Sequence, residues 1–170
     1  AELNTKLGSA KGKGKYKEVS TPNMKTVDDV SGFLKIKPEE LIKTIIYKVS
    51  KSEEKFIFVA AMVKGCDEII EPKLVQSLHE TGIISDADVQ LELALDEDVK
   101  RLTNAPVGFA GPVGLTDSVI IVADTSLYGK ETFVTGANKA DTHLQNVSWE
   151  DCELEKFVDI RRAAEGDECS

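Results

Sequence analysis

The stretch KFIFVAAMV, residues 55–63, constrains the fold more than any other part of the chain. Successive side chains on a strand point to opposite faces, and here both sets are apolar from Phe56 onward. Such a strand leaves no face for water, so it belongs at the centre of a sheet covered on both sides. A second strand, KTIIYKV (43–49), precedes it across the polar SKSEE, and SVIIVADTS (118–126) reads as a further buried strand. VQLEL (89–93), TFVTGAN (132–138) and HLQNVSW (143–149) are strand candidates with weaker signals.

Short helices fall between these runs. Thr26 is a good N-cap, Asp28 and Asp29 suit a first turn, and Val27, Val30, Phe33 and Leu34 share one face. Pro38 opens one more helical turn. EPKLVQSLHETG (71–82) predicts a helix with Pro72 near its start and Gly82 as its stop, and DEDVKRLTN (96–104) a helix capped by Asp96. No regular element is read before Thr26. Strands separated by short, irregularly placed helices predict a mixed α+β domain, built on a mainly antiparallel sheet or partial barrel with short flanking helices. Residues 1–15, with the lysine run that starts KGKGK, read as a linker or flexible arm; 16–160 read as the domain, and 161–170 as a linker leading out of it.

Composition narrows the function. The chain has 170 residues, 41% of them hydrophobic and 30% charged, which fits one domain with a core. Its net charge of −9 is divided as +4 over residues 1–25, −8 over the body and −5 over residues 150–170. That balance excludes general affinity for nucleic acid, which needs clustered Lys and Arg. No apolar run approaches the ~18 residues of a membrane span. Three widely spaced cysteines and two histidines do not form a zinc set, so no metal site is expected.

Taken singly, the polar candidates have bland readings. Cys66 reads as a small residue at a strand end, and His79 suits a helix C-terminus. The loop GFAGPVG (108–114) has no P-loop lysine and is followed by a strand, so by itself it is a tight turn. Lys73 is a lone lysine at a helix start, and His143 a polar residue on a strand.

Taken in order, several segments carry more. STPNMKTVDDVSGFLKIKPEELIKTIIYKV, VAAMVKGCDEIIEPKL, PVGFAGPVGL, TFVTGANKADTHLQNVSW and VDIRRAAEGDECS together resemble the insertion domain of bacterial-type prolyl-tRNA synthetases. That domain is the editing module related to free-standing YbaK/ProX trans-editing proteins. The resemblance covers residues 16–170 and implies hydrolysis of mischarged tRNA for proline, chiefly its alanyl ester. A synthetase pocket shaped for proline rejects smaller amino acids weakly, because missing methylenes change binding by only ~1–3 kcal/mol, so a second site must remove the error.

The resemblance also implies roles for residues. Lys73 matches the family's functional lysine, expected near the tRNA 3′ end. Gly108 and Pro112 match the ends of the GxxxP loop, whose N–H groups suit an oxyanion or the attacking water. His143 matches the histidine after the Gly136-Ala137-Asn138 motif and is expected to shape the amino-acid pocket rather than act as general base. Lys73, Gly108 and His143 are thus the catalytic candidates. Pro112, Gly136 and Asn138 are expected at the substrate, and Ala60 and Met62 as pocket wall. Water attack assisted by the substrate's ribose hydroxyl fits better than a covalent intermediate.

The expected partners are tRNA for proline and the rest of a prolyl-tRNA synthetase chain, itself expected as a homodimer in the cytoplasm and not at a membrane. ATP and Mg would belong to that enzyme's catalytic domain, and the editing domain itself needs no cofactor. Two departures stand out: Cys66 replaces a common acidic residue, and NVSWEDCE lacks an arginine usual near Trp149. The rival readings are a Cys-tRNA deacylase of the trans-editing type and a degenerate insertion that only positions tRNA or stabilises the enzyme.

Overall fold

β3 (Phe56–Lys64) lies, as its sequence demands, between two other strands. It pairs antiparallel with β2 (Leu41–Ser50) on one side and parallel with β5 (Val119–Asp124) on the other. Phe58, Ala60 and Met62 enter the core on one face, with Ile42, Ile46, Ile121 and Leu144. Val59, Ala61 and Val63 enter a second core on the opposite face, with Leu74, Leu78 and Val122. The two-faced apolar pattern is therefore used on both sides of one sheet.

This computed structural model describes residues 16–162 apart from 25, 106, 107, 116 and 117. The arm expected over 1–15, and the outgoing linker from 163 on, lie outside the described residues. Eight strands form one open, mixed sheet in the order β1-β7-β6-β2-β3-β5-β8, with β4 also pairing to β2. The remaining strands are β1 (Lys17–Ser20), β4 (Gln90–Leu93), β6 (Phe133–Gly136), β7 (Thr142–Val147) and β8 (Leu154–Val158). The pairings β1–β7, β2–β3, β2–β4 and β6–β7 are antiparallel; β2–β6, β3–β5 and β5–β8 are parallel. β1 and β8 were not anticipated. Their sequences, KEVS and LEKFV, are short and mostly exposed, so neither carries a clear two-residue alternation.

Three α-helices flank the sheet among the described residues: α1 (Val27–Leu34), α2 (Glu71–Glu80) and α3 (Asp96–Thr103). Thr26 caps α1 by accepting the Asp29 N–H at 3.1 Å. Val30 is buried beneath α1, but Phe33 is half exposed, so the apolar face is narrower than its spacing suggests. α2 stops before Gly82, whose φ of 78° is left-handed and suits glycine. Asp96 does not cap α3. Leu95 holds the N-cap position with no side-chain bond, and Asp96 is the first helical residue, where its charge meets the helix dipole directly.

Candidate functional site

β2 has two partners on the same edge, and they do not meet. β6 pairs with Leu41 and Ile42 only, whereas β4 pairs from Tyr47 to Ser50. The Ala94 N–H adds one bond to the Ile46 carbonyl, at 2.9 Å. In an antiparallel strand the N–H and C=O of a residue point to one edge, and alternate residues share that edge. Thr44 therefore turns its backbone N–H and C=O toward the same edge as Ile46, into a notch between β6 and β4. A cavity of about 330 Å³ occupies this notch.

One wall of the cavity is β2 from Leu41 to Ile46; a second is Leu93, Ala94, Asp96 and Val99, from β4 and α3. The third is Gly108 and Ala110 from the Gly/Pro loop, with Gly136 of β6 and His143 of β7. Thus Gly108, Gly136 and His143 meet at one cavity although up to 35 residues separate them in the chain.

Backbone packing brings the loop there. A Cβ on Gly111 would overlap the carbonyl oxygen of Gly136, and one on Gly136 would collide with the carbonyls of Phe109 and Ala110. Only two glycines allow the loop and β6 to approach so closely. Asn138 then clamps the loop. Its Oδ1 accepts the Gly111 N–H at 2.8 Å, and its Nδ2 donates to the carbonyls of Gly111 at 2.9 Å and Val113 at 2.8 Å. Its own N–H bonds to the Phe109 carbonyl at 2.8 Å. The side-chain amide of Asn138 is spent on holding the loop. Asn138 itself has a φ of 55°, a left-handed turn that asparagine tolerates well. Gly108, with φ 104°, is exposed at the cavity; Pro112 is buried in the loop behind it.

His143 sits opposite Gly136 in the β6–β7 pairing and is 4% exposed. Its Nδ1 lies 2.6 Å from the Thr21 hydroxyl, and the Phe109 ring stands edge-on to it, with centroids 6.2 Å apart. Burial pushes the imidazole below its ordinary pKa, so the ring is neutral at pH 7 and its orientation is fixed by Thr21.

Three expected residues lie elsewhere. Ala60 and Met62 are fully buried and face Ile46 and Thr44 across the β2–β3 ladder, which places them behind the cavity wall rather than in it. Lys73 lies on α2, which packs on the opposite face of the sheet through Leu74 and Leu78. Its ammonium donates to Asp159 Oδ1 at 2.9 Å and to the Arg161 carbonyl at 2.8 Å. Cys152 is buried, and burial pushes its thiol up, so it offers no thiolate.

Sequence reasoning missed the β2 edge, and Thr44 in particular. Thr44 is buried, and its hydroxyl has no hydrogen-bond partner among the described residues. The only local signal was one polar residue starting an apolar run, which is commonplace in strands.

The chain belongs to the aminoacyl-tRNA editing domain family, whose sequence profile matches residues 21–154. Among curated proteins it is 41% identical over 152 residues to a proline–tRNA ligase of Caldicellulosiruptor bescii, and 43% identical over 153 residues to one of Nitratidesulfovibrio vulgaris. Each alignment covers 89% of this chain and 24% of the relative, so the chain spans about a quarter of the length of these enzymes. Among solved structures, a candidate trans-editing enzyme for prolyl tRNA synthetase superposes with a TM-score of 0.67 at 16% identity, covering 88% of each chain. A hypothetical protein superposes equally well at 19% identity, covering 87% of this chain and 92% of the other. At such identities these two structures establish the fold. Among the described residues no group of His, Cys, Asp and Glu is arranged to hold a metal, and no helix is long and apolar enough to cross a membrane.

Proposed function

We propose that this domain removes alanine from mischarged tRNA for proline by hydrolysis of the aminoacyl ester. The observation that carries the reading is the meeting of Gly108 and Ala110, from the Gly/Pro loop, with neutral, buried His143 at one cavity.

The terminal aminoacyl-adenosine enters the notch with its amino acid inward. Attack of water on the ester carbonyl places negative charge on one oxygen. The loop N–H groups suited to receive it belong to Gly108 and Ala110, because the Gly111 N–H is already given to Asn138. Donors fixed in advance by the Asn138 clamp need no reorganisation as charge develops. A neutral imidazole packed against Phe109 offers shape and one polar nitrogen rather than a positive charge, which suits His143 to limiting pocket size. No side chain at the cavity is placed as a nucleophile, so direct attack by water, aided by the substrate's ribose hydroxyl, is the economical route. Lys73 acts from the other side of the sheet, toward the tRNA backbone, and also holds the segment Asp159–Arg161. The acidic surface makes tRNA affinity a task for the remainder of a longer synthetase, and ATP and Mg chemistry belongs there too.

The test is deacylation of tRNA for proline charged separately with alanine, cysteine and proline, by the wild-type chain and by Lys73→Ala and His143→Ala. Loss of alanine with retention of proline supports the reading. His143→Ala is expected to let the prolyl ester be attacked, and Lys73→Ala to lower the alanyl rate about tenfold or more. Preferential loss of cysteine would assign the trans-editing specificity. Retention of all three esters by folded protein, and again by the full synthetase that carries it, would sink the hydrolytic reading.

A further inference from the structure

We infer that Thr44, with Asp96 at the rim, forms the subsite for the α-ammonium group of the aminoacyl ester. This rests on the editing reading above and adds to it the group by which the site recognises an amino acid as such.

Three observations converge on the notch. Thr44 is 8% exposed and lines the cavity, and its fully buried hydroxyl has no hydrogen-bond partner among the described residues. Its backbone carbonyl points into the gap that β6 and β4 leave along β2, as the Ile46 carbonyl does where Ala94 reaches it. Asp96 lines the same cavity and is exposed at its mouth. Two neutral acceptors in a sheltered place, backed by one carboxylate nearer water, suit a small cation with several N–H donors. An ammonium fits the Thr44 carbonyl and the Asp96 carboxylate, while the Thr44 N–H and the Gly108–Ala110 loop across the cavity are left as donors for the ester carbonyl. Lys43, the lysine next to Thr44, also lines the cavity; burial lowers its pKa, and Glu68 and Asp67 attract its ammonium.

An unpaired buried hydroxyl is costly to keep, so valine would suit the free protein better at this position. Threonine there is consistent with a partner that arrives with the substrate. With the ammonium held at β2 and the carbonyl at the loop, the amino-acid side chain is left to face His143.

The test compares the alanyl ester of tRNA for proline with its lactyl ester, made by deaminating the same alanyl-tRNA, so that a hydroxyl replaces the ammonium. The wild-type chain is expected to show a KM about tenfold lower for the alanyl ester. Thr44→Val is expected to bring the ratio of the two KM values close to one while raising the melting temperature, and Thr44→Ser to preserve the ratio. Asp96→Asn should reduce the ratio about threefold. Equal KM values for both esters in the wild type, or a Thr44→Val change that slows both alike, would overturn the subsite and leave the editing reading standing. A wild-type chain that hydrolyses neither ester, alone or within the full synthetase, would overturn both. The wild-type comparison needs no variant, so the inference stays testable even if Thr44→Val fails to fold.

Discussion

Two buried polar positions on this sheet are treated in opposite ways. At the end of β5, Asp124 is completely buried and fully engaged. Its Oδ1 accepts the N–H groups of Ile160 at 3.0 Å and Arg161 at 3.1 Å, its Oδ2 accepts the Ser126 N–H at 2.9 Å, and the Arg161 Nε stands 3.3 Å away. Nearby, Lys73 and the Ile70 N–H hold the same segment, the latter through the Ile160 carbonyl at 2.8 Å. On β2, Thr44 is nearly as buried, and its hydroxyl has no hydrogen-bond partner among the described residues. Burying a polar group is costly unless it is paired, which suits Asp124 to a structural joint. The hydroxyls of Ser126 and Thr135 are also buried without a partner among the described residues, so it is the adjoining cavity that sets Thr44 apart. The comparison assigns rigidity to the Asp159–Arg162 side and chemistry to the notch.

Removing the joint should have the largest effect. Asp124→Ala strips a buried carboxylate from three backbone donors and Arg161, and should cost about 3 kcal/mol of stability, read from the urea midpoint at constant slope. At a temperature where the variant is still folded, its deacylation rate should stay within about threefold of wild type. A collapse of activity in folded Asp124→Ala would break the division between the two regions.

Gly136→Ala attacks the notch instead. The added methyl drives the Phe109–Gly111 backbone off β6, at about 1–3 kcal/mol of stability. It should also cost about a hundredfold in alanyl-ester hydrolysis, because displaced donors lose the developing oxyanion. An intact rate would show that the loop donates nothing to the reaction.

The smallest effect is the pH response of His143. Its folded pKa lies below the unfolded value of about 6.5, so the folded state binds this proton less readily. Its contribution is present above that value and is lost as pH falls toward the folded pKa. Thermal melts should show wild type losing stability from pH 7 to pH 5, and His143→Gln losing less. An equal loss in both would mean that the ring is not shielded from water.

What the sequence revealed follows from the reach of each signal. β3, β5 and the three helices were legible because periodicity, caps and glycine stops act within a few residues. β1 and β8 were not, because KEVS and LEKFV have little apolar pattern and are stabilised by β7 and β5 from far along the chain. The site divides in the same way. Gly108, Gly136 and His143 were reached through resemblance to a family, and no local rule would have joined them. Asn138 was expected at the substrate, but its amide is spent on the loop, which only the contact between Gly111 and Gly136 explains. The place of Lys73 depends on which face of the sheet α2 covers, and its own sequence does not encode that choice.

The split edge of β2 also makes that strand a ruler. β6 releases it at Ile42 and the Ala94 contact takes it up at Ile46, an interval of four residues or about 13 Å. The opening between the two partners is thus counted in residues of one strand, and it can widen only in steps. Because the faces of β2 alternate, a single inserted residue would turn its apolar side chains out of both cores, so only a pair could be accommodated, adding about 7 Å at once. Gradual drift in the width of the opening is closed to this fold, and fine adjustment of what enters is left to the side chains around its rim.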